Sequence, residues 1–264
     1  MRKKTEAQVC PIIHIGGVSI SSFLLFNGLG FLFGFLFLAY RLRRRPIAGL
    51  RFGEVMAILM GGGYVGTKLY YIIFDEPARF LADPWGVFWS WNGSGWFGGF
   101  VLCAGLLLVY SRRRGFPLTA LLDALAPCIP VGIIFGRMGC FLAGDGCYGV
   151  PTDLPWGMTF PHGVMPTLLP VHPTPLYEIL ANALILLILL KIESRFRWIQ
   201  PGSGELFGIY LILGGMVRFL VEFLRLNPIV LWGLTAPQLF SIALLLWGIG
   251  LIVRRRFSAL VFPL

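Results

Sequence analysis

Charged side chains are scarce in this sequence of 264 residues, where they make up only 13% of the chain. Soluble domains carry about 25% charged residues. Here 57% of the residues are hydrophobic and the mean hydropathy is +0.80. Long polar blocks are also missing from the sequence. This composition excludes an ordinary soluble enzyme and predicts an all-α integral membrane protein with a single domain over residues 1–264.

Acidic residues are fewer than basic ones, 12 against 22, which gives a formal net charge of +10. The basic residues form short clusters between apolar runs and do not build one continuous basic surface. Such clusters are typical of membrane topology and not of a nucleic-acid-binding protein. We therefore expect membrane lipids as partners and no nucleic acid.

Seven apolar stretches are predicted to cross the bilayer, whose hydrocarbon core is about 30 Å thick. They are 18–40, 55–74, 96–110, 118–135, 174–190, 206–224 and 237–253. Arginine clusters follow the first, third, fifth and seventh stretches, and Lys/Arg-rich loops are normally cytoplasmic. The three basic residues at positions 2–4 oppose this orientation but are outweighed. The pattern predicts a multi-pass membrane protein with its N-terminus outside and its C-terminus in the cytoplasm.

The segment 136–178, which leads from the fourth predicted span into the start of the fifth, differs in composition from the rest of the chain. It is rich in Gly, Pro, His, Asp and aromatic residues, and we predict that residues 136–173 form an outward-facing loop region. Arg137 lies at the end of a hydrophobic run, between Gly136 and Gly139. An arginine at membrane depth is a candidate for function, and the neighbouring glycines allow a ligand to approach closely. The alternative is an arginine that snorkels to the interface.

A second charged motif lies inside the sixth predicted span. Arg218 and Glu222 are four residues apart and share one helix face, and Arg225 follows within one turn. Charges at this depth are expected to pair, which by itself only stabilises a helix bundle. A guanidinium group is also well suited to binding a phosphate, because its N–H groups form a planar fork. The spacing alone leaves both interpretations open.

Histidine and cysteine residues in the segment 136–178 allow several kinds of chemistry. His162 or His172 can act as a base near neutral pH, although a loop histidine is often structural. Cys140 and Cys147 together with the two histidines match no compact zinc pattern, so we expect no metal site. A disulfide between these cysteines is the more plausible alternative on an oxidising outer face.

Four further residues have both a functional and a simpler interpretation. Asp145 has glycines on both sides and is typical of a turn. Tyr177 and Glu178 begin the fifth predicted span, where an aromatic ring and an acid often lie at the interface. Lys68 lies near the outer end of the second span and either snorkels or binds a phosphate.

Three motifs resemble those of the bacterial prolipoprotein diacylglyceryl transferases. The motif G-R-x-G at 136–139 continues with matching residues at Phe141, Gly144, Asp145 and Gly149 and with PTDLPWGM at 151–158. HPTPLYE at 172–178 is similar to the family's H-P-S-Q-L-Y-E, and RFLVEFLR at 218–225 is similar to R-F-x-x-E-x-x-R. With FLADP at 80–84, the resemblance covers most of the chain. The family's seven spans and its orientation agree with the topology predicted above.

The resemblance implies that the chain moves the diacylglyceryl group of phosphatidylglycerol to the lipobox cysteine thiol of a prolipoprotein signal peptide, without a metal or an organic cofactor. It implies that Arg137 and Arg218 are the two essential arginines, and it places Asp145 where the family has Glu. Binding of the substrates is then expected to involve Gly136, Gly139, Gly144, Gly149, Lys68, Tyr177, Glu178, Glu222, Arg225, Gly98 and Gly99.

The sequence departs from the family pattern at positions that matter for catalysis. The family usually has H-G-G at the start of the third span, and its histidine is a leading candidate for the base, but here Phe97 precedes Gly98 and Gly99. Cys140 and Ala143 replace two asparagines, and Lys68 replaces an arginine. We therefore predict a divergent member in which His172 serves as a relocated base. The alternatives are a paralogue that uses phosphatidylglycerol with a different acceptor and a non-catalytic protein that binds or moves lipid.

Overall fold

The computed structural model describes residues 5–15, 17–75, 77–89, 96–195 and 202–261 of a chain that is predominantly helical. The α-helices are α1 Ser22–Arg44, α2 Phe52–Ala57, α3 Gly63–Tyr70, α4 Pro77–Ala82, α5 Pro84–Trp89, α6 Trp96–Arg114, α7 Leu118–Leu125, α8 Cys128–Ala143, α9 Thr174–Arg195, α10 Glu205–Glu222 and α11 Ala236–Val261. Two π-helical turns, Ile58–Gly62 and Tyr71–Asp75, continue α2 and α3. The strands are β1 Thr5–Glu6, β2 Ile12–Ile15, β3 Val18–Ser21, β4 Met158–Phe160, β5 Thr167–Val171, β6 Ile229–Leu231 and β7 Leu234–Thr235.

Each predicted span coincides at least in part with helical backbone, and several helices are long and apolar enough to cross a membrane. Within the described residues, α1, α9 and the part of α11 at Ala236–Arg255 meet this criterion by length and composition. The pair α7 and α8, which bends by 42°, adds a fourth candidate if it forms one broken span. The structure therefore supports a helical protein with three or four candidate membrane spans.

The first predicted span begins four residues too early. Val18–Ser21 forms β3, which pairs with the antiparallel strand β2, and the helix starts at Ser22. The buried Ser22 donates a backbone hydrogen bond to the carbonyl of Pro11 at 3.0 Å. Hydropathy does not distinguish an apolar strand from the start of an apolar helix, so the turn between the two strands was missed.

The predicted loop region also begins too early, because α8 continues through Ala143. Gly136, Arg137 and Gly139 are therefore helical and not part of a loop. The helix ends at Gly144, which has a left-handed conformation with φ of 59°, and the N–H of this glycine bonds to the carbonyl of Cys140 at 3.0 Å. A left-handed glycine is a common helix terminator, since it lacks the Cβ that makes this conformation unfavourable.

The described chain divides into two compact units, residues 1–40 with 122–264 and residues 41–121. The single domain predicted from the sequence stays a prediction. In the second unit, α3 packs against α6 through glycines, and a Cβ atom on Gly99 would lie only 2.8 Å from the carbonyl oxygen of Gly63. Lys68 is buried in this unit, where its Nζ lies 3.4 Å from the carbonyl oxygen of Val87.

The first unit contains the helices that carry the charged motifs around Arg137, Glu178 and Arg218. Here α9 packs against α8 and α10, and α10 packs against α11. A buried core joins α7, α9 and α10 and consists of Ala126, Ile185, Leu189, Leu206, Phe207 and Leu211. At the start of α10, the Asp123 carboxylate accepts backbone hydrogen bonds from Gly202, Gly204 and Phe207 at 2.9–3.1 Å. Because these donors lack helical partners, Asp123 fixes where α10 begins.

The segment that follows α8 folds into a small sheet. The strands β4 and β5 pair antiparallel and β1 pairs parallel to β4. Phe160 is only 1% exposed and packs with Ala7 and Val171. This core holds the ends of the segment between α8 and α9 in place.

Candidate functional site

Three helices bring their charged side chains together in one cluster. Glu178 on α9 lies between two arginines, with its Oε2 atom 2.5 Å from Nε of Arg137 on α8 and its Oε1 atom 3.2 Å from Nη1 of Arg218 on α10. The other amino nitrogen of Arg218 lies 2.8 Å from Oε2 of Glu222, one turn further along α10. The pairing of Arg218 with Glu222, predicted from their spacing, is thus confirmed. The bridge that Glu178 makes between α8 and α10 was not predicted.

The carboxylates and the guanidinium groups of this cluster differ in exposure. The side chains of Glu178 and Glu222 are 5% and 0% exposed, whereas those of Arg137 and Arg218 are 23% and 25% exposed. The acids are therefore sealed inside the protein while the arginines keep an accessible surface. Arg225, whose Nε lies 4.0 Å from Glu222, adds a third guanidinium group. Because the guanidinium groups of Arg137 and Arg218 keep accessible surface while the carboxylates do not, the cluster favours an anionic ligand.

The buried Glu222 also connects α10 to the residues that precede α11. Its second carboxylate oxygen accepts hydrogen bonds from Nδ2 of Asn227 at 2.6 Å and from the hydroxyl of Thr235 at 2.9 Å. Burying a carboxylate is unfavourable unless its oxygens are paired with donors. These contacts pair Oε1 of Glu222 with two donors, and Oε2 forms the ion pair with Arg218.

The sulfur atoms of Cys140 and Cys147 lie beside the same arginine. Nη1 of Arg137 is 3.9 Å from Sγ of Cys140 and 3.8 Å from Sγ of Cys147. The backbone N–H of Cys147 donates to Oδ1 of Asp145 at 3.0 Å, and both cysteines carry free thiols. A hydrogen bond from the Cys140 thiol lowers the pKa of Cys147 to about 7, and the positive charge of Arg137 acts in the same direction.

This cluster of two thiols and one carboxylate is poorly suited to a metal ion. The ligand atoms of Cys140, Asp145 and Cys147 lie within 4.8 Å of one another, which is close enough for a shared ion. However, the Arg137 guanidinium group contacts both sulfurs and would repel a cation there. The histidines of the predicted alternative have other partners, since His162 lies 3.8 Å from Glu6 and His172 contacts Tyr177.

His172 lies in a chain of polar contacts at the start of α9. Its Nδ1 atom is 3.2 Å from the hydroxyl of Tyr177, which also accepts a hydrogen bond from Nε1 of Trp156 at 2.8 Å. The backbone of His172 pairs with Gly149 and Val150. These contacts hold the imidazole in place at the start of α9.

Two of the predicted glycines are required by close packing. A Cβ atom on Gly149 would collide with the carbonyl of Leu224 and would lie 3.1 Å from the Cβ of His172. A Cβ atom on Gly144 would lie 2.6 Å from the Cα of Gly163. These two glycines therefore let the segment 144–173 fold back onto the ends of α8 and α10.

Many of the predicted site residues lie together in the first unit, but not all of them do. Lys68, Gly98 and Gly99 belong to the second unit, and the side chain of Phe97 lies outside the part that the structure describes. The contact between Cys140 and Arg137 was not predicted. Their spacing of three residues places them on one helix face and is the signal that could have revealed it.

We expect Glu222→Ala to destabilise the protein strongly, because it removes a buried carboxylate that pairs with Arg218 and accepts hydrogen bonds from Asn227 and Thr235. Removing one partner of a buried ion pair costs about 3–5 kcal/mol. Thermal unfolding of the purified protein in detergent measures this effect. Glu54→Ala is the matched control, since Glu54 also pairs with two arginines, Arg51 and Arg114, but is 35% exposed. Equal losses of stability in the two variants would contradict the central role of Glu222.

The comparison with known proteins agrees with these motifs. The sequence profile described as prolipoprotein diacylglyceryl transferase matches residues 11–254. Similar proteins are named phosphatidylglycerol–prolipoprotein diacylglyceryl transferase. The one from Bordetella bronchiseptica is 33% identical, covering 92% of this chain and 94% of its own. The Rhodospirillum rubrum protein is 32% identical over 96% of this chain and 94% of its own, and the Methylococcus capsulatus protein is 37% identical over 72% of each. This chain therefore belongs to the prolipoprotein diacylglyceryl transferase family of bacterial membrane enzymes.

Proposed function

We propose that this chain transfers the diacylglyceryl group of phosphatidylglycerol to the lipobox cysteine thiol of a prolipoprotein signal peptide. The observation that carries the proposal is the buried Glu178 carboxylate, which holds the partly exposed guanidinium groups of Arg137 and Arg218 side by side. Two adjacent guanidinium groups form a site for the phosphate of a lipid headgroup. The similar proteins are named for these two substrates, phosphatidylglycerol and a prolipoprotein.

The reaction forms one bond and breaks one bond. The thiol sulfur attacks the glyceryl carbon that carries the phosphate ester, and the carbon–oxygen bond breaks. The electron pair leaves with the phosphate oxygen, which gives glycerol phosphate, and the thiol proton goes to a base. Negative charge grows on the departing phosphate, so fixed guanidinium groups lower the barrier. This chemistry requires neither a metal nor an organic cofactor.

The other cluster residues position the two arginines in this proposal. Glu178 orients both guanidinium groups, and Glu222 fixes Arg218 through its bonds to Asn227 and Thr235. Arg225 and Asp145 adjust the charge around the phosphate. The remaining substrate-binding candidates are Gly136, Gly139, Gly144, Gly149, Tyr177 and, from the second unit, Lys68, Gly98 and Gly99.

His172 is the proposed base for the incoming thiol. Its imidazole is held by Tyr177, which Trp156 in turn holds. The thiol itself is already a few per cent thiolate at neutral pH, so a base accelerates the reaction but is not its sole requirement. Phe97 stands where the family usually has histidine, so His172 is proposed to take over the role of that histidine.

The proposed setting is the bacterial inner membrane, crossed seven times as a single domain. The N-terminus would lie outside and the C-terminus in the cytoplasm, so that the segment 144–173 faces outward. The arginine clusters after alternate predicted spans support this orientation.

We expect Arg137→Lys and Arg218→Lys each to lower kcat/KM for transfer by at least about 10²-fold, the effect of losing one preorganised donor to a developing charge. Lysine keeps the charge but loses the planar fork. Transfer from phosphatidylglycerol to a lipobox peptide is measured with purified protein, and melting curves verify folding. Arg51→Lys, at a side chain that is 71% exposed, is the control. Full activity in either site variant would contradict a forked contact to phosphate.

His172→Ala is expected to slow transfer by about 10²–10⁴-fold and to flatten the pH–rate profile around neutrality, because a general base is lost. The matched control is His162→Ala, since the His162 side chain is 81% exposed on the same segment. Unchanged transfer in His172→Ala would remove this residue from the mechanism. Absence of transfer by the wild-type protein would favour a different acceptor or a lipid-binding role.

The proposed orientation predicts which introduced cysteines react with an impermeant maleimide in intact cells. In a background that carries Cys10→Ser and Cys147→Ser, Asp153→Cys should react from outside, because Asp153 is exposed on the proposed outer segment. Arg113→Cys, at the end of α6, should react only after the cells are permeabilised. Labelling of the introduced cysteine at position 113 in intact cells would overturn the orientation.

A further inference from the structure

The loop after α8 folds back so that Cys147 meets Cys140 in the last turn of the helix. Gly144 and Gly146 have φ of 59° and 85°, and these left-handed conformations reverse the chain direction. The two Sγ atoms lie within 4.8 Å of each other. Cys140 is 7% exposed, whereas Cys147 is only partly buried. One thiol of the pair is therefore accessible and the other lies directly behind it.

Charged and polar groups from α8, from its own loop, from α9 and from the residues after α10 surround Cys147. Arg137 on α8 is 3.8 Å from its sulfur, and Arg225 after α10 adds a second positive charge. Asp145 in the same loop carries the opposing negative charge. From α9, the Thr174 hydroxyl donates to the Cys147 carbonyl at 2.5 Å. The two guanidinium groups favour the thiolate, which is the form that attacks a disulfide, whereas burial and Asp145 oppose it.

We propose that Cys140 and Cys147 form a redox-reactive dithiol that exchanges with external disulfides. The Cys147 thiolate attacks one sulfur of the external disulfide, forms a mixed disulfide and releases one thiolate. Cys140 then loses its proton and attacks Sγ of Cys147, which forms the Cys140–Cys147 bond and releases the second thiolate. The pair loses two electrons and two protons, and the external disulfide becomes two thiols.

The other cysteines of the chain differ from this pair in their surroundings. The thiols of Cys103 and Cys128 donate to the backbone carbonyls of Ile58 and Ala124, each at 3.4 Å. Cys10 is exposed, and its thiol lies 3.3 Å from the carbonyl oxygen of Ile12. Cys103 and Cys128 therefore serve as internal controls, while Cys10 is replaced by serine to prevent disulfides between molecules.

Oxidation of the pair would regulate the phosphate site, and this consequence rests on the proposed function. In the reduced protein, the Cys147 thiolate lies beside Arg137 and competes with a phosphate for its positive charge. The disulfide is neutral and removes that competition. We therefore expect a several-fold lower KM for phosphatidylglycerol after oxidation, with the larger change at alkaline pH, where more of Cys147 is ionised.

The test uses the full chain in detergent with the single change Cys10→Ser. Protein treated with dithiothreitol or with oxidised glutathione is acid-quenched, alkylated, digested without reduction and analysed by mass spectrometry. We expect oxidised glutathione to remove alkylation from Cys140 and Cys147 together and to link them with the loss of two hydrogen atoms. Cys103 and Cys128 should remain alkylated.

Two variants assign the roles of the two thiols. In Cys140→Ser the reaction should stop at a glutathione adduct on Cys147, and in Cys147→Ser the buried Cys140 should stay unmodified. A lasting glutathione adduct on Cys147 of the parent protein, or oxidation of Cys147 no faster than of Cys103, would overturn the proposal. The thiol measurement needs no lipid or peptide substrate, so it stands or fails separately from the proposed transfer reaction.

Discussion

Two carboxylates buried among apolar helices impose the main constraint on this structure. Glu178 and Glu222 are nearly inaccessible to water, and an isolated charge at such depth is very unfavourable. The protein compensates by drawing guanidinium groups from α8 and α10 onto them, so that three helices meet at one ionic cluster. Because only the two carboxylates are fully buried, the arginine side chains keep an exposed surface that can bind an anion. The same interaction thus stabilises the bundle and prepares the proposed phosphate site.

Helical segments were predictable because apolar runs and basic clusters alternate along the chain. Their ends were less predictable. The strand Val18–Ser21 is as apolar as a helix start, and only its pairing with Ile12–Ile15 distinguishes the two. The end of α8 had a local signal in Gly144, since glycine often terminates a helix. The dense glycines around Arg137 nevertheless resembled a loop, because composition does not show which glycine adopts the left-handed conformation.

The candidate site was predictable where its residues share one helix, as Arg218 and Glu222 do. Contacts across helices depend on packing that spacing does not encode. The position of Glu178 between two arginines was not predicted, although its motif was recognised from the resemblance. The contacts between Arg137 and the two sulfurs were not predicted either, because Cys147 reaches this arginine only where its loop folds back. The resemblance to the family thus identified the site residues, and the structure showed which of them contact one another.

The central claim is that Arg137 and Arg218 jointly hold the phosphate of phosphatidylglycerol. The most direct measurement is an experimental structure of the full chain with this lipid bound in a nanodisc. We expect phosphate oxygens within hydrogen-bonding distance of both guanidinium groups, with Glu178 still between the two arginines. A headgroup bound elsewhere, with both arginines paired only to their carboxylates, would contradict the claim.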